Sequence, residues 1–152
     1  MRNLLNKKLN NEKGMTLIEL LAVIVILAII ALIAIPAIGN IISNSKSKAI
    51  LADATTIISG AKTAFADGAC KEENKCTGAE LKDFVEISGT ELDGTKDFVE
   101  KTKDTNGKSS YKITYAGLGE LNEKYSKKFS EAKEGAVTTA TQKEIAEAMG
   151  GK

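Results

Sequence analysis

Histidine and tryptophan are absent from this chain of 152 residues, and proline occurs once. Without histidine the chain cannot form Ser-His-Asp or Cys-His nucleophile pairs, use a histidine general base or ligate zinc through imidazole. Twenty-one Lys and Arg residues against twenty Asp and Glu leave a net charge of only +1, which gives no bulk attraction to nucleic acid. The composition therefore argues against an enzyme and predicts no cofactor, no metal and no direct nucleic-acid site. A membrane-anchored enzyme that hydrolyses its substrate with carboxylates alone stays as a weaker alternative.

The apolar residues are concentrated near the N-terminus. Every residue from Leu20 to Ile35 is apolar. The stretch 15–38 would be about 36 Å long as a helix, enough to span a hydrocarbon core of about 30 Å. Residues 1–14 carry four basic residues against one acid, and a basic flank of this kind holds an N-terminus in the cytoplasm. A plain single-pass anchor and a cleaved secretory signal peptide are the alternatives. For a signal peptide the apolar run is longer than usual, and only Ala37-Ile38-Gly39 resembles a cleavage site.

Glu19 is the only ionisable residue in the stretch 15–38. A carboxylate inside a membrane span is costly and is by default functional, with a partner to be named. The stretch supplies no cation of its own, so the partner has to come from elsewhere. Cleavage before Met15 would create an α-amine four residues ahead of Glu19, at the right depth on this chain or on a neighbouring copy.

The run Gly14-Met15-Thr16-Leu17-Ile18-Glu19, behind a basic leader and ahead of a long apolar stretch, resembles the N-terminus of type IV pilins, of a Gram-positive-like kind. Pseudopilins of secretion or competence machines are close relatives with the same motif. Met15 departs from the phenylalanine that is usual in the family. The resemblance implies that a prepilin peptidase cuts Gly14–Met15 and N-methylates Met15, and that Glu19 pairs with the Met15 amine of a neighbouring subunit.

The resemblance also implies a function and a set of partners. The subunit would be extracted from the membrane by an assembly platform and its ATPase and polymerised with other copies into a helical surface filament. Adhesion, motility, biofilm formation and DNA uptake are the roles such filaments have. A pseudopilin of a type II secretion or competence apparatus is the alternative, because the N-terminus is processed in the same way in both.

The helix is predicted to continue past the membrane to Ala66, since Asp67-Gly68 is a stop signal. Pro36 and Gly39 are predicted to kink it. Its outer half should be amphipathic and pack on a globular head. The predicted apolar face is Ile38, Ile41, Ile42, Ile50, Ala54, Ile57, Ile58, Ala61 and Phe65. The predicted solvent-exposed face is Ser43, Asn44, Lys46, Lys48, Asp53 and Lys62.

The predicted fold class is α+β, with four parts. These are a cleaved cytoplasmic leader (1–14), a transmembrane or filament-core helix (15–38), its amphipathic continuation (39–68) and an extracellular globular head (69–152). Cys70 and Cys76 are predicted to form a disulfide, since the head should lie outside the cell. Two free thiols or half of a metal site are the alternatives.

Local motifs predict the elements of the head. Two capping boxes, Thr77 to Glu80 and Thr141 to Glu144, should open helices that run to about Val85 and to Met149. The pentapeptide Lys-Asp-Phe-Val-Glu occurs at 82–86 and at 96–100, and the second copy should be a strand. It leads to a turn at Asn106-Gly107 and a partner strand over 111–115, with its tyrosines in the core. A further helix should carry Leu118, Leu121, Tyr125 and Phe129 and end near Gly135.

Overall fold

The computed structural model describes residues 16–103, 107–130 and 137–151. Its longest element is helix α1, Leu17–Asp67. The chain divides after Ile41 into two units. We call residues 17–41 the apolar segment and residues 42–152 the C-terminal unit. The cleaved leader and both residues at the predicted cut, Gly14 and Met15, lie outside the described residues.

Helix α1 ends as the sequence predicts. Gly68 has a φ of +70°, a left-handed conformation that glycine adopts without cost. The N–H of Ala69 donates to the carbonyl of Ala64 over 2.9 Å, which satisfies one of the last carbonyls of the helix. The Asp67-Gly68 stop signal is confirmed.

Four antiparallel strands form one sheet in the order β1-β2-β3-β4, where β1 is Lys75–Thr77, β2 is Phe98–Lys103, β3 is Ser109–Thr114 and β4 is Thr139–Thr141. The predicted hairpin is β2 and β3, in which Val99 lies opposite Ile113. Gly107 of the predicted turn has a φ of +76°. The two three-residue edge strands were not predicted, because three residues are too few to show an alternating pattern.

The core of the C-terminal unit lies between α1 and one face of this sheet. Each strand contributes one buried residue, and these residues lie opposite one another across the four strands, in one row on that face. On α1 the buried positions recur every three or four residues, which gives the helix a single inward face. The buried strand residues are Cys76, Val99, Ile113 and Ala140, and the buried helix residues include Ile50, Leu51, Ala54, Ile57, Ile58, Ala61 and Ala64.

The predicted apolar face of the helix is therefore right from Ile50 outward and wrong before it. Ile38, Ile41 and Ile42 are 53–63% exposed, because burial of α1 begins only at Ser47. Gly60 shows why a small residue is needed on the buried face. A Cβ there would lie 2.3 Å from a methyl of Val85 and 2.8 Å from the carbonyl oxygen of Phe84.

Each edge strand runs directly into a short helix through a threonine N-cap. Helix α2, Gly78–Leu81, follows β1, and Glu80 accepts hydrogen bonds from the N–H (2.8 Å) and hydroxyl (2.9 Å) of Thr77. Helix α4, Gln142–Met149, follows β4, and Glu144 makes the same two bonds to Thr141 (2.9 and 2.8 Å). Both capping boxes are confirmed.

Two predicted helices are shorter than expected. Helix α2 ends at Leu81 and not near Val85, because the chain turns there and brings Phe84 and Val85 against Gly60 of α1. The helix expected through Phe129 is instead a 3-10 helix, Ala116–Glu120, followed by helix α3, Glu123–Ser126. The side chain of Asn122 caps α3 by accepting from the N–H of Tyr125, so the chain leaves the first helix and starts another.

Two buried acids hold the loop between α2 and β2. Asp53 of α1 is only 9% exposed, and its carboxylate accepts the N–H groups of Ser88 (3.3 Å) and Gly89 (2.9 Å). Asp97 is 2% exposed and accepts the N–H groups of Asp93 (2.9 Å) and Ala116 (3.0 Å). The prediction that Asp53 lies on the solvent-exposed face is therefore wrong. Its carboxylate is bound by backbone N–H groups of the loop in place of water.

Candidate assembly site

The apolar segment exposes nearly all of its large side chains. From Leu17 to Ile41 these side chains are 47–86% exposed. Each large aliphatic side chain left in water forgoes about 1.5–3 kcal/mol of burial free energy. Over a whole segment that deficit exceeds the net stability of a typical domain, about 5–15 kcal/mol. The segment therefore requires an apolar environment on all its sides.

A bilayer is one such environment. Helix α1 is long and apolar enough, near the N-terminus, to cross a membrane by length and composition. Anchoring of the chain in a membrane is consistent with this helix, and the predicted boundary at Ile38 stays a prediction.

Thr16 and Glu19 form a third capping box at the start of α1. The Glu19 carboxylate accepts hydrogen bonds from the N–H and the hydroxyl of Thr16, each over 2.8 Å. In return the N–H of Glu19 donates to the Thr16 hydroxyl over 3.3 Å. A carboxylate in the first turn of a helix is also favoured by the helix dipole. Glu19 thus has a local role that was not predicted from the sequence.

This geometry corrects the view that Glu19 has no partner within its own segment. Its hydrogen bonds come from a neutral residue, however, and a capping box leaves the negative charge uncompensated. Among residues 16–103, 107–130 and 137–151, no basic side chain forms an ion pair with Glu19. The pairing of Glu19 with the Met15 amine stays a prediction, as do cleavage at Gly14–Met15 and methylation of Met15.

Pro36 and Gly39 both lie inside α1, which is helical on either side of them. Pro36 has no N–H to donate to the fourth residue before it, so one helical hydrogen bond is missing there. A Cβ built on Gly39 would meet nothing within 4 Å, so this glycine is not required by packing. Both residues weaken the helix locally, and the predicted kink stays a prediction.

The disulfide between Cys70 and Cys76 is present, with the two Cα atoms 4.9 Å apart. Cys76 is fully buried at the centre of β1, whereas Cys70 is partly exposed. The bridge therefore ties the chain that leaves α1 to the first strand of the sheet. Closing so short a loop contributes about 2–2.5 kcal/mol in the chain-entropy model.

The acids of the C-terminal unit whose pKa is strongly shifted have structural explanations. Burial, with the nearby charges of Asp53 and Asp97, raises the pKa of Tyr115 to about 12. The pKa of Asp93 falls to about 2 because its carboxylate accepts backbone N–H bonds from Thr95 and Lys96. In the described part of the chain, no group of three or more His, Cys, Asp or Glu residues could hold a metal ion. These groups shape loops.

Residues 9–35 match the model of the prokaryotic N-terminal methylation motif, the leader of type IV prepilin-like proteins. The matched range contains Gly14, Met15 and Glu19 and most of the apolar segment. The motif marks structural subunits and not an enzyme family. The chain therefore carries a prepilin-like leader, of the type shared by pilins and pseudopilins. No curated protein and no solved structure matches this chain.

Proposed function

We propose that this chain is the structural subunit of a type IV pilus. The observation that carries the proposal is an apolar segment whose large side chains no other described residue covers, directly behind a prepilin-like leader, in a chain whose C-terminal unit has its own core. A bilayer can surround that segment before assembly, and the same segments of other copies can surround it in a filament.

The partners follow from this assignment. A prepilin peptidase removes residues 1–14 on the cytoplasmic side, and an assembly platform with its ATPase transfers the subunit from the membrane to the filament. The C-terminal unit then lies outside the cell. The disulfide supports this placement, because such bonds persist in oxidising compartments and are rare in the cytosol.

Intact-mass analysis of protein sheared from cells tests the processing step. Cleavage at Gly14–Met15 gives a mature chain of 152 − 14 = 138 residues that begins with N-methyl-Met15. Replacing Gly14 by leucine should leave a longer precursor in the membrane, whereas leucine at Asn11 should be processed normally. A mature N-terminus at Ala37 or beyond would instead show a secretory signal peptide and refute the proposal.

Electron microscopy with an antibody to the C-terminal unit tests the filament. Long labelled surface filaments support a pilus. Labelled material confined to the cell envelope in cells that secrete protein or take up DNA would assign the chain to a pseudopilin instead.

A further inference from the structure

Two large apolar side chains stand out as exposed among the described residues of the C-terminal unit. They are Ile42, which is 63% exposed, and Met149, which is 48% exposed. Ile42 directly follows the apolar segment and extends its surface. Met149 is the last residue of helix α4 and is far from that segment in sequence. Single exposed apolar residues are common on proteins, so Met149 indicates a contact only if a complementary site exists.

An open cavity of about 420 Å³ is such a site. Its lining includes Ala49 and Ile50 of α1 and, from the loop that follows α2, Gly89 and Thr90. Ala49 is exposed, so the cavity can be reached from solvent. The cavity belongs to the C-terminal unit alone, since all of its lining residues lie beyond residue 42.

The charged residues around this cavity already have partners in the same copy. The ammonium of Lys46 lies 2.7 Å from the carboxylate of Glu120, which also accepts the hydroxyl of Thr90 over 2.8 Å. The carboxylate of Asp53 accepts two backbone N–H groups of the loop. The surface left free is mainly apolar and includes the methyl of Ala49 and the hydrocarbon stem of Lys46. The cavity therefore suits an uncharged, apolar side chain.

Met149 and the cavity lie on different sides of α1. The sulfur of Met149 accepts a hydrogen bond from the hydroxyl of Thr55 over 3.7 Å, which places its side chain beside that residue. An α-helix turns by about 100° per residue, so Thr55 is about 120–180° around α1 from the α1 residues that line the cavity. Met149 therefore points away from the cavity of its own copy and is free to meet that of another.

We propose that Met149 of one copy inserts into this cavity of the next copy along the filament. The unbranched, flexible thioether of methionine adapts well to an irregular apolar site. The contact joins two different surfaces, so it is heterologous and repeats from copy to copy in place of closing a two-fold dimer. The inference rests on the proposed filament, for which it names a contact outside the apolar segment.

Methionine oxidation tests whether Met149 is covered in the filament. Dilute hydrogen peroxide converts an accessible thioether to the sulfoxide, and mass spectrometry of the peptide that contains Met149 gives the rate. In sheared wild-type filaments this rate should be about fivefold or more lower than in the detergent-solubilised subunit, because the cavity of a neighbour excludes the oxidant. Equal rates in filament and subunit would overturn the proposal.

Photo-methionine, a light-activated methionine analogue that cells incorporate, tests what covers Met149. After removal of residues 1–14 the chain has methionine only at Met15 and Met149. Illumination of filaments should give a covalent dimer in which position 149 is linked to residues 46–53 or 88–90 of another copy. Met149→Leu should abolish this link and leave any link from position 15. Dimers linked from position 149 only to other surfaces would overturn the proposal.

Substitutions on the two sides of the contact test its importance in cells. Met149→Leu keeps the side chain apolar and should leave the yield of sheared filaments within about twofold of wild type. Met149→Gln is similar in size but places an unpaired amide in the cavity, and should lower the yield about tenfold. Ala49→Leu fills the cavity and should lower the yield to a similar extent. Ala69→Leu adds the same side chain at an exposed position outside the cavity and should have little effect.

The readouts separate folding, contact and function. Filament yield is expressed relative to the amount of mature subunit in the membrane fraction, which corrects for any variant that folds or is processed poorly. Equal yields from the leucine and glutamine variants of Met149, or from the leucine variants of Ala49 and Ala69, would overturn the contact. Wild-type cells without filaments would refute the proposed function instead.

Discussion

The two parts of helix α1 differ in how their apolar residues are arranged. In the apolar segment, residues 17–41, apolar side chains point in every direction, and the large ones are at least 47% exposed. From Ser47 to Ala64 the buried positions recur every three or four residues and face the core of the C-terminal unit. A helix with one apolar face needs one protein partner, whereas a helix that is apolar all round needs a lipid or a bundle of other helices to surround it.

The difference separates the folding of the C-terminal unit from the proposed assembly. Residues 47–64 contribute to the stability of a single chain, because their partners are in the same chain. The apolar segment is stabilised by the lipid or by the other helices that surround it. Substitutions in it should therefore change membrane insertion or filament yield and not the unfolding free energy of the C-terminal unit. Substitutions in the two parts should therefore change different measurements.

The largest effect is expected from Glu19→Gln, which removes the charge at the start of the apolar segment. Glutamine at this position still accepts the hydrogen bonds of a capping box, so the start of α1 is kept. Breaking a buried ion pair costs about 3–5 kcal/mol, or roughly a hundredfold or more in an assembly equilibrium. The variant should insert in the membrane and be cut at Gly14–Met15, yet few or no filaments should be sheared from the cells.

Thr16→Val is the matched control for that variant. It removes the hydroxyl that bonds to Glu19 but keeps the carboxylate. Filament yield should fall by less than it does for Glu19→Gln. If the valine variant loses filaments and the glutamine variant does not, Glu19 serves assembly as a helix cap, and its charge is dispensable.

The next effect compares one leucine from each part of the helix. Leu51 is fully buried, and Leu51→Ala should destabilise the C-terminal unit by about 2–5 kcal/mol. Leu27 is 58% exposed in the apolar segment, and Leu27→Ala should change the same free energy by less than about 0.5 kcal/mol. The three tyrosines all lie in the C-terminal unit, so tyrosine fluorescence during urea unfolding in detergent reports that unit alone. Equal losses of unfolding free energy in the two variants would contradict the division of α1 into these two parts.

Loss of the disulfide loop closure by itself should show a smaller effect than Leu51→Ala, and the two cysteines should differ. Cys70→Ser should cost about 2–2.5 kcal/mol of unfolding free energy through loss of the loop closure. Cys76→Ser should cost about 1–3 kcal/mol more, because it places a hydroxyl at a fully buried position. Non-reducing mass spectrometry of surface protein should show the Cys70–Cys76 link, and both variants should still be cleaved at Gly14–Met15. Free thiols in wild-type surface protein would contradict the bridge.

The smallest effect is a pH dependence in the second capping box. Burial raises the pKa of Glu144, but hydrogen bonds from Ser130 and Thr141 outweigh it and lower the pKa to about 2 from an ordinary 4.5. The ionised carboxylate therefore stabilises the fold fully above pH 4.5, and this contribution is lost as the pH falls towards 2. Wild type should exceed Glu144→Gln in stability by about 1 kcal/mol at pH 6.

The comparison with the glutamine variant isolates this group from the other acids. The difference in unfolding free energy between the two proteins should shrink as the pH is lowered from 4.5 to about 2. The glutamine side chain of the variant can still accept the bonds of a capping box, so the helix itself should persist. A difference that stays constant over this range would show that the ionisation of Glu144 does not stabilise the fold.

Local chemistry made much of the fold and site predictable. The stop at Asp67-Gly68, both capping boxes of the head, the β2–β3 hairpin and the disulfide involve residues close in sequence, and each was predicted. The prepilin-like leader was predicted for the same reason, since its motif is a short linear segment. The cap at Thr16 and Glu19 has the same spacing as the other boxes, and that signal was available although only a role in charge pairing was predicted for Glu19.

The sequence by itself determined the apolar segment, the leader and the caps, because each depends on composition or on neighbours a few residues away. Only the tertiary structure decided the burial and conformation of residues whose partners are distant in sequence. Asp53 is buried because loop N–H groups from Ser88 and Gly89 replace its water. The pentapeptide Lys-Asp-Phe-Val-Glu is a turn against Gly60 in one copy, and in the other Phe98 to Glu100 pair with β3, because what packs beside each copy differs. The two copies have identical local propensities, and packing determined which structure each one adopts.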